Sequence, residues 1–251
     1  MDNSLPAVNI MGVRIHNVTM QEALAHLSGM LSRGERGYVV TPNAEIVYLG
    51  RRDEAAREVL NGAALSVPDG IGVVRAASVY GTPVREKVAG VELAENLLPE
   101  LVAQEKSLYI LGAKPGVAER AAKNLTQKYP GLKIAGVHDG YFKEDAEVLP
   151  GIRESGAAVC FVCLGCPKQE FWMRKNLEAS GCCLMLGVGG SVDIYAGEAQ
   201  RAPKIFIRLG LEWFYRLLRQ PSRIGRMMSL PKFLLLAMGD RITGKKWSDE
   251  K

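Results

Sequence analysis

Histidine is scarce in this chain. Three occur in 251 residues, His16, His26 and His138, and no two have the H-x-x-x-H spacing of a zinc helix. No carboxylate cluster has calcium-loop spacing, so the pattern offers no metal centre. G-x-S-x-G is missing, which removes the serine-hydrolase elbow. The missing G-x-G-x-x-G counts against a dinucleotide oxidoreductase. No window reaches about 18 uninterrupted apolar residues, and no secretory signal precedes the first strand-like segment. Membrane contact is therefore expected to be peripheral.

Five cysteines are present, Cys160, Cys163, Cys166, Cys182 and Cys183. An odd number in apolar settings argues against a disulfide scaffold. Cys160 and Cys163 form C-x-x-C, but 160–164 reads as a strand interior. Residues three apart on a strand face opposite sides and do not readily share a metal, so core thiols are expected.

The composition is that of a folded globular protein, 47% hydrophobic and 24% charged. The net charge of +5 is unevenly placed. Residues 201–251 carry 12 Lys or Arg against 4 Asp or Glu, whereas residues 1–200 carry 20 against 23. A basic tail attracts polyanions: anionic lipid, phosphorylated substrate or nucleic acid. No RNP, KH or helix-turn-helix signature supports the last. A non-catalytic nucleotide- or nucleic-acid-binding module is the weaker alternative.

Apolar runs alternate with helical periodicity. Strands are expected at 38–40, 64–67, 108–111, 132–137, 157–164 and 182–188. Helices are expected from 44, at 55–60, 71–79 and 117–129, and over 169–178. A hairpin or short strand at 8–18 precedes a helix capped by Thr19 with Glu22 in the capping-box position. This rhythm implies an α/β fold with a mainly parallel sheet, whose strand C-termini form the functional edge.

Several loops fall on that edge. Pro68-Asp69-Gly70 presents a carboxylate able to take a proton from an attacking hydroxyl, although Asp-Gly is also a common turn. Thr41 and Asn43 flank Pro42, where they can bond a sugar or phosphate, cap the following helix, or do both. The turn from Gly112 to Gly116 offers amides, and Lys114 a charge, to an anion. Lys168 and Gln169 follow Gly165-Cys166-Pro167 at a helix start. Gly187, Gly189 and Gly190 allow close backbone approach, and Asp193 beyond them is a cap, a ligand contact or a second carboxylate. In the tail, Arg208, Arg216, Arg219, Arg223 and Arg226 share one helical sector, with Phe206, Leu209, Trp213 and Leu217 off it. Pro221 is expected to interrupt that helix. Such a basic amphipathic segment suits an anionic interface. Its apolar side has three ready partners: lipid, the main domain, or a second copy in a homo-oligomer.

These motifs resemble the bacterial WecG/TagA/CpsF glycosyltransferases, glycosyltransferase family 26. The resemblance is carried by Thr41-Pro42-Asn43, Pro68-Asp69-Gly70-Ile71-Gly72, Gly165-Cys166-Pro167-Lys168-Gln169-Glu170, Gly187-Val188-Gly189-Gly190-Ser191-Val192-Asp193 and Arg201-Ala202-Pro203. The run Gly210-Leu211-Glu212-Trp213-Phe214-Tyr215-Arg216-Leu217, with Pro221 and Arg223, completes it. It implies a Rossmann-like catalytic domain over 1–200, with helices on both sheet faces. It also implies a basic C-terminal appendage over 201–251 that closes the active site and touches the membrane. The implied activity is inverting, without metal or cofactor. N-acetylmannosamine moves from its UDP donor to undecaprenyl-diphosphate-linked N-acetylglucosamine, for teichoic acid or a related surface polymer. N-acetylmannosaminuronic acid or glucose is the donor sugar of other branches. Asp69 matches the family's catalytic base, and Thr41, Asn43 and Gln169 match pocket positions. Arg216 and Arg223 match tail arginines near the diphosphate. The implied location is the inner face of the bacterial cell membrane, with no nucleic-acid partner.

Overall fold

A computed structural model describes residues 5–219, 229–245 and 247. Strands β1 (Ala7–Ile10) and β2 (Val13–His16) form an antiparallel hairpin. The main sheet comprises β3 (Gly37–Val40), β4 (Leu65–Ser66), β5 (Ser107–Gly112), β6 (Lys133–His138), β7 (Val159–Cys163) and β8 (Leu184–Gly187). Its order is β4-β3-β8-β7-β5-β6, and every pairing is parallel.

Parallel strands need crossovers, and here helices supply them. The early helices are α1 (Met20–Arg33), α2 (Ala44–Arg52), α3 (Glu54–Asn61), α4 (Ile71–Val79) and α5 (Gly90–Ala103). The later ones are α6 (Val117–Lys128), α7 (Leu149–Glu154), α8 (Lys168–Ser180) and α9 (Ser191–Tyr195). The C-terminal region adds α10 (Lys204–Arg208), α11 (Glu212–Arg219) and α12 (Ser229–Ile242). The expected capping box is present: the Thr19 hydroxyl accepts from the Glu22 amide, and the Glu22 carboxylate accepts from the Thr19 amide.

Because both sheet faces are covered, the central strands are apolar throughout. Strand alternation sends Val39, Ile110, Phe161 and Leu186 toward α1, α5, α6 and α9. It sends Val40, Leu111, Val162 and Met185 toward α2, α3, α4, α7, α8 and α12. Cys160 and Cys163 accordingly belong to opposite cores. All five cysteines are free; Cys160, Cys163 and Cys182 are buried and Cys183 partly so. Cys166 departs from the expectation of a core thiol. It stands exposed in the loop after β7, because the strand ends before it.

The tail also departs from one continuous helix over 205–219. Gly210 takes φ 69° between α10 and α11, so the arginine sector does not run unbroken across the two. The expected break at Pro221 and the positions of Arg223 and Arg226 lie outside the described residues. Helix α12 packs on α2 and α4, with Phe233 and Ala237 fully buried. Burying a phenylalanine stabilises such docking by about 2–3 kcal/mol.

Candidate active site

Adjacent strands β3 and β8 send their following helices to opposite faces, α2 into one core and α9 into the other. Their C-terminal loops therefore diverge, and an open α/β sheet usually holds its ligand in the crevice at such a point. Thr41, Asn43, Asp69 and Gly187 to Gly190 all stand at this edge.

Asp69 follows the two-residue strand β4 and Pro68, and is half-exposed. Its amide donates to the Pro42 carbonyl at 3.2 Å, tying the β4 loop to the β3 loop. Its Oδ2 lies 3.4 Å from the Gly90 amide at the start of α5. Gly70 takes φ 87° and begins α4 without a side-chain cap. An L side chain rarely adopts that angle, so glycine lets the chain turn immediately after Asp69.

Thr41 donates its hydroxyl to the Gly187 carbonyl at 3.3 Å. Its methyl leaves no room for a Cβ on Gly90, which would sit 2.7 Å away. Thr41 thus joins three of the loops. Asn43 caps α2: its Oδ1 accepts from the amides of Glu45 at 2.9 Å and Ile46 at 3.1 Å. Asn43 is exposed, and its oxygen serves the helix.

Gln169 is buried, and its Oε1 accepts from the Gly189 amide at 3.1 Å. Its Nε2 donates to Glu170 at 2.9 Å. Burial raises the Glu170 carboxyl above its ordinary range, against the opposing effects of Gln169 and Cys166. The Gly189 amide is thereby engaged by Gln169 in this arrangement. Gly187 is close-packed as well, since a Cβ there would meet Met173 at 2.8 Å. Gly190 is exposed, and half-exposed Asp193 lies in the first turn of α9.

Lys168 and Gly112 are placed differently. Lys168 is exposed and its Nζ lies 4.6 Å above the Phe142 ring, in the loop beyond β6. Gly112 ends β5 at φ 131°, and a Cβ there would strike the Cys163 carbonyl at 2.5 Å. That close approach to β7 accounts for the glycine without a ligand. Of the two proposed tail arginines, Arg216 is in α11 and Arg223 lies outside the described residues.

Two ion pairs at this edge are not evident from the motifs. Lys87 lies 3.8 Å from Glu212 of α11, and Arg201 bonds Glu92 of α5 at 2.5 Å. Each joins this side of the sheet to the C-terminal region. Among the described residues, no three His, Cys, Asp or Glu side chains gather into a group able to hold a metal.

The chain is similar to known proteins. The glycosyl transferase WecG/TagA/CpsF family model matches residues 8–247. A Bacillus spizizenii protein named N-acetylglucosaminyldiphosphoundecaprenol N-acetyl-beta-D-mannosaminyltransferase is 37% identical over 204 residues, 81% of this chain and 79% of its own. A Staphylococcus aureus protein of the same name is 35% identical over 230 residues, 90% of each. With the motif-bearing loops gathered at one sheet edge, the chain belongs to the WecG/TagA/CpsF glycosyltransferase family.

Proposed function

We propose that this chain is an inverting glycosyltransferase. It moves N-acetylmannosamine from UDP-N-acetylmannosamine to undecaprenyl-diphosphate-linked N-acetylglucosamine. The product is a β-linked disaccharide lipid for teichoic acid or a related surface polymer. The relatives' shared name supports the reaction, and the placement of Asp69 carries the mechanism. A half-exposed carboxylate stands at the crevice, between loops tied to each other by Pro42, Thr41 and Gly90.

One displacement needs a base and a stabilised leaving group. Asp69 takes the proton of the acceptor hydroxyl as its oxygen bonds to the anomeric carbon. The bond from that carbon to the diphosphate oxygen breaks on the opposite side, which inverts the centre and releases UDP. Thr41 and Gln169 keep the loops in register, and Asn43 presents its amide to the sugar. Arg216 and Arg223 are the tail positions that the family motifs favour for the diphosphate.

Exposed apolar side chains support work at a membrane surface. Ile205, Leu209 and Leu218 stand out from the basic tail, with Leu235 and Ile242 on α12. No helix among the described residues is long and apolar enough to cross a membrane. Contact is then peripheral, at the inner face of the cell membrane.

A donor screen tests the proposal, using a short prenyl-diphosphate N-acetylglucosamine acceptor with and without EDTA. Transfer from UDP-N-acetylmannosamine under chelation is the expected result. Transfer only from another donor would reassign the sugar, and dependence on added cation would overturn the metal-free mechanism.

A further inference from the structure

Arg201 has one donor engaged and one unmet on the same edge of its guanidinium. Its Nη2 holds Glu92 at 2.5 Å, whereas its Nε–H is buried without a hydrogen-bond partner. A buried donor on a charged group is costly to leave unmet, and such groups call for an explanation. Nε–H and Nη2 form one edge of the guanidinium, suited to two oxygens of a single anion. Glu92 fills half of that edge.

The position of this pair matters. Glu92 lies in the first turn of α5, the helix whose opening amide, Gly90, approaches Asp69 at 3.4 Å. Tyr195 of α9 donates to the Val91 carbonyl at 2.8 Å, which fastens that turn to the helix following the β8 loop. Arg201 thus reaches the start of α5 from the C-terminal side of the crevice. Glu92 also has a second source of stabilisation. An acidic side chain in a first helical turn interacts favourably with the positive helix end, whether or not an arginine is present.

We infer that Arg201 is a diphosphate-binding residue held by Glu92 in the free enzyme, and that its side-on edge transfers to the phosphates of a nucleoside diphosphate. This rests on the proposed glycosyl transfer and adds to it a specific cation and its resting partner. A diphosphate carries more charge than one carboxylate and can engage both donors. The helix end and solvent retain Glu92, whose side chain is 35% exposed.

The test compares uridine, UMP and UDP binding by calorimetry in the full chain and in R201Q, R201K and E92Q. Wild type is expected to prefer UDP. R201Q should lose about tenfold to a hundredfold in UDP affinity, the scale of hydrogen bonds to charged groups, with uridine affinity unchanged. R201K should recover part of the loss. E92Q should bind UDP more tightly and uridine equally, which gives a reading even if R201Q does not fold. If wild type prefers UDP and R201Q keeps that preference, this inference alone is overturned. Weaker or unchanged UDP binding by E92Q overturns the resting role of Glu92. A wild type indifferent to the phosphates overturns the glycosyl-transfer reading and this inference together.

Discussion

His16 ties the N-terminal hairpin to the strand that leads to Asp69. It sits on β2, and its Nδ1 accepts from the Ser66 amide at 2.9 Å, three residues before Asp69. Burial, then the nearby charge of Arg14, lowers its pKa to about 4, with a weak further lowering from His26; the Ser66 amide, donating to Nδ1, also favours the neutral ring. The neutral ring is the one that fits. Unfolded histidine titrates near 6.5, so the unfolded chain binds the extra proton first. Stability is therefore full above that value and falls as pH drops toward 4. At pH 5 the loss is about 2 kcal/mol relative to pH 7. Replacing His16 by Asn, which keeps an acceptor without the titration, should flatten the urea-midpoint difference between pH 7 and 5 by that amount. An equally steep difference in the variant would show that the acid sensitivity lies elsewhere. At this scale, residues next to Pro or Gly at strand ends were legible in the sequence, Asp69 and Asn43 among them. The Arg201–Glu92 pair was not, because its members are 109 positions apart and only folding brings them together.

Among the elements, those with strong local signals were legible. The capping box marks α1, and the apolar runs mark β5, β7 and β8. Residues 80–107, where α5 lies, carry no element expectation from the sequence. Its N-cap is Ala89, without a side-chain cap, and Pro99 lies inside it. Both features remove the usual start and continuation signals; its burial in the core sustains it. Helix α12 is held by a polar latch as well as by Phe233. Asp240 bonds Arg51 through both carboxylate oxygens, Tyr80 at 2.7 Å and the Trp247 indole at 2.9 Å. Burial disfavours the Asp240 charge, but these partners outweigh it and hold the carboxyl below its usual range. Removing one member leaves a largely buried cation unpaired, at a cost of about 3 kcal/mol. Asp240→Ala should therefore lower the thermal midpoint and speed amide exchange within α12. Unchanged exchange there would mean that Phe233 and Ala237 suffice to dock the helix.

For the whole molecule, the parallel sheet sets the working edge, and the C-terminal region supplies exposed apolar groups beside basic ones. Ile242 is 83% exposed and Leu235 68%, on a helix whose other side is docked. Scattered exposed leucines are ordinary, but this set belongs to the most basic fifth of the chain. Replacing Ile205, Leu209, Leu235 and Ile242 by Ser should weaken binding to anionic vesicles several-fold. It should leave turnover on a short, water-soluble acceptor intact. Equal vesicle binding would move the membrane contact to another surface. The charge asymmetry was plain from the sequence; the docking of α12, which decides which of its residues face outward, depends on contacts with α2 and α4.

The proposed reaction depends on the Asp69 carboxylate receiving the acceptor's proton. Asp69→Asn keeps the size and the turn but removes the base. The most direct measurement is turnover of this variant with UDP-N-acetylmannosamine and a prenyl-diphosphate N-acetylglucosamine acceptor, alongside its affinity for UDP. The expected result is a fall in turnover of about 10²–10⁴-fold, with UDP affinity and melting temperature nearly unchanged. Turnover equal to wild type would rule out Asp69 as the base.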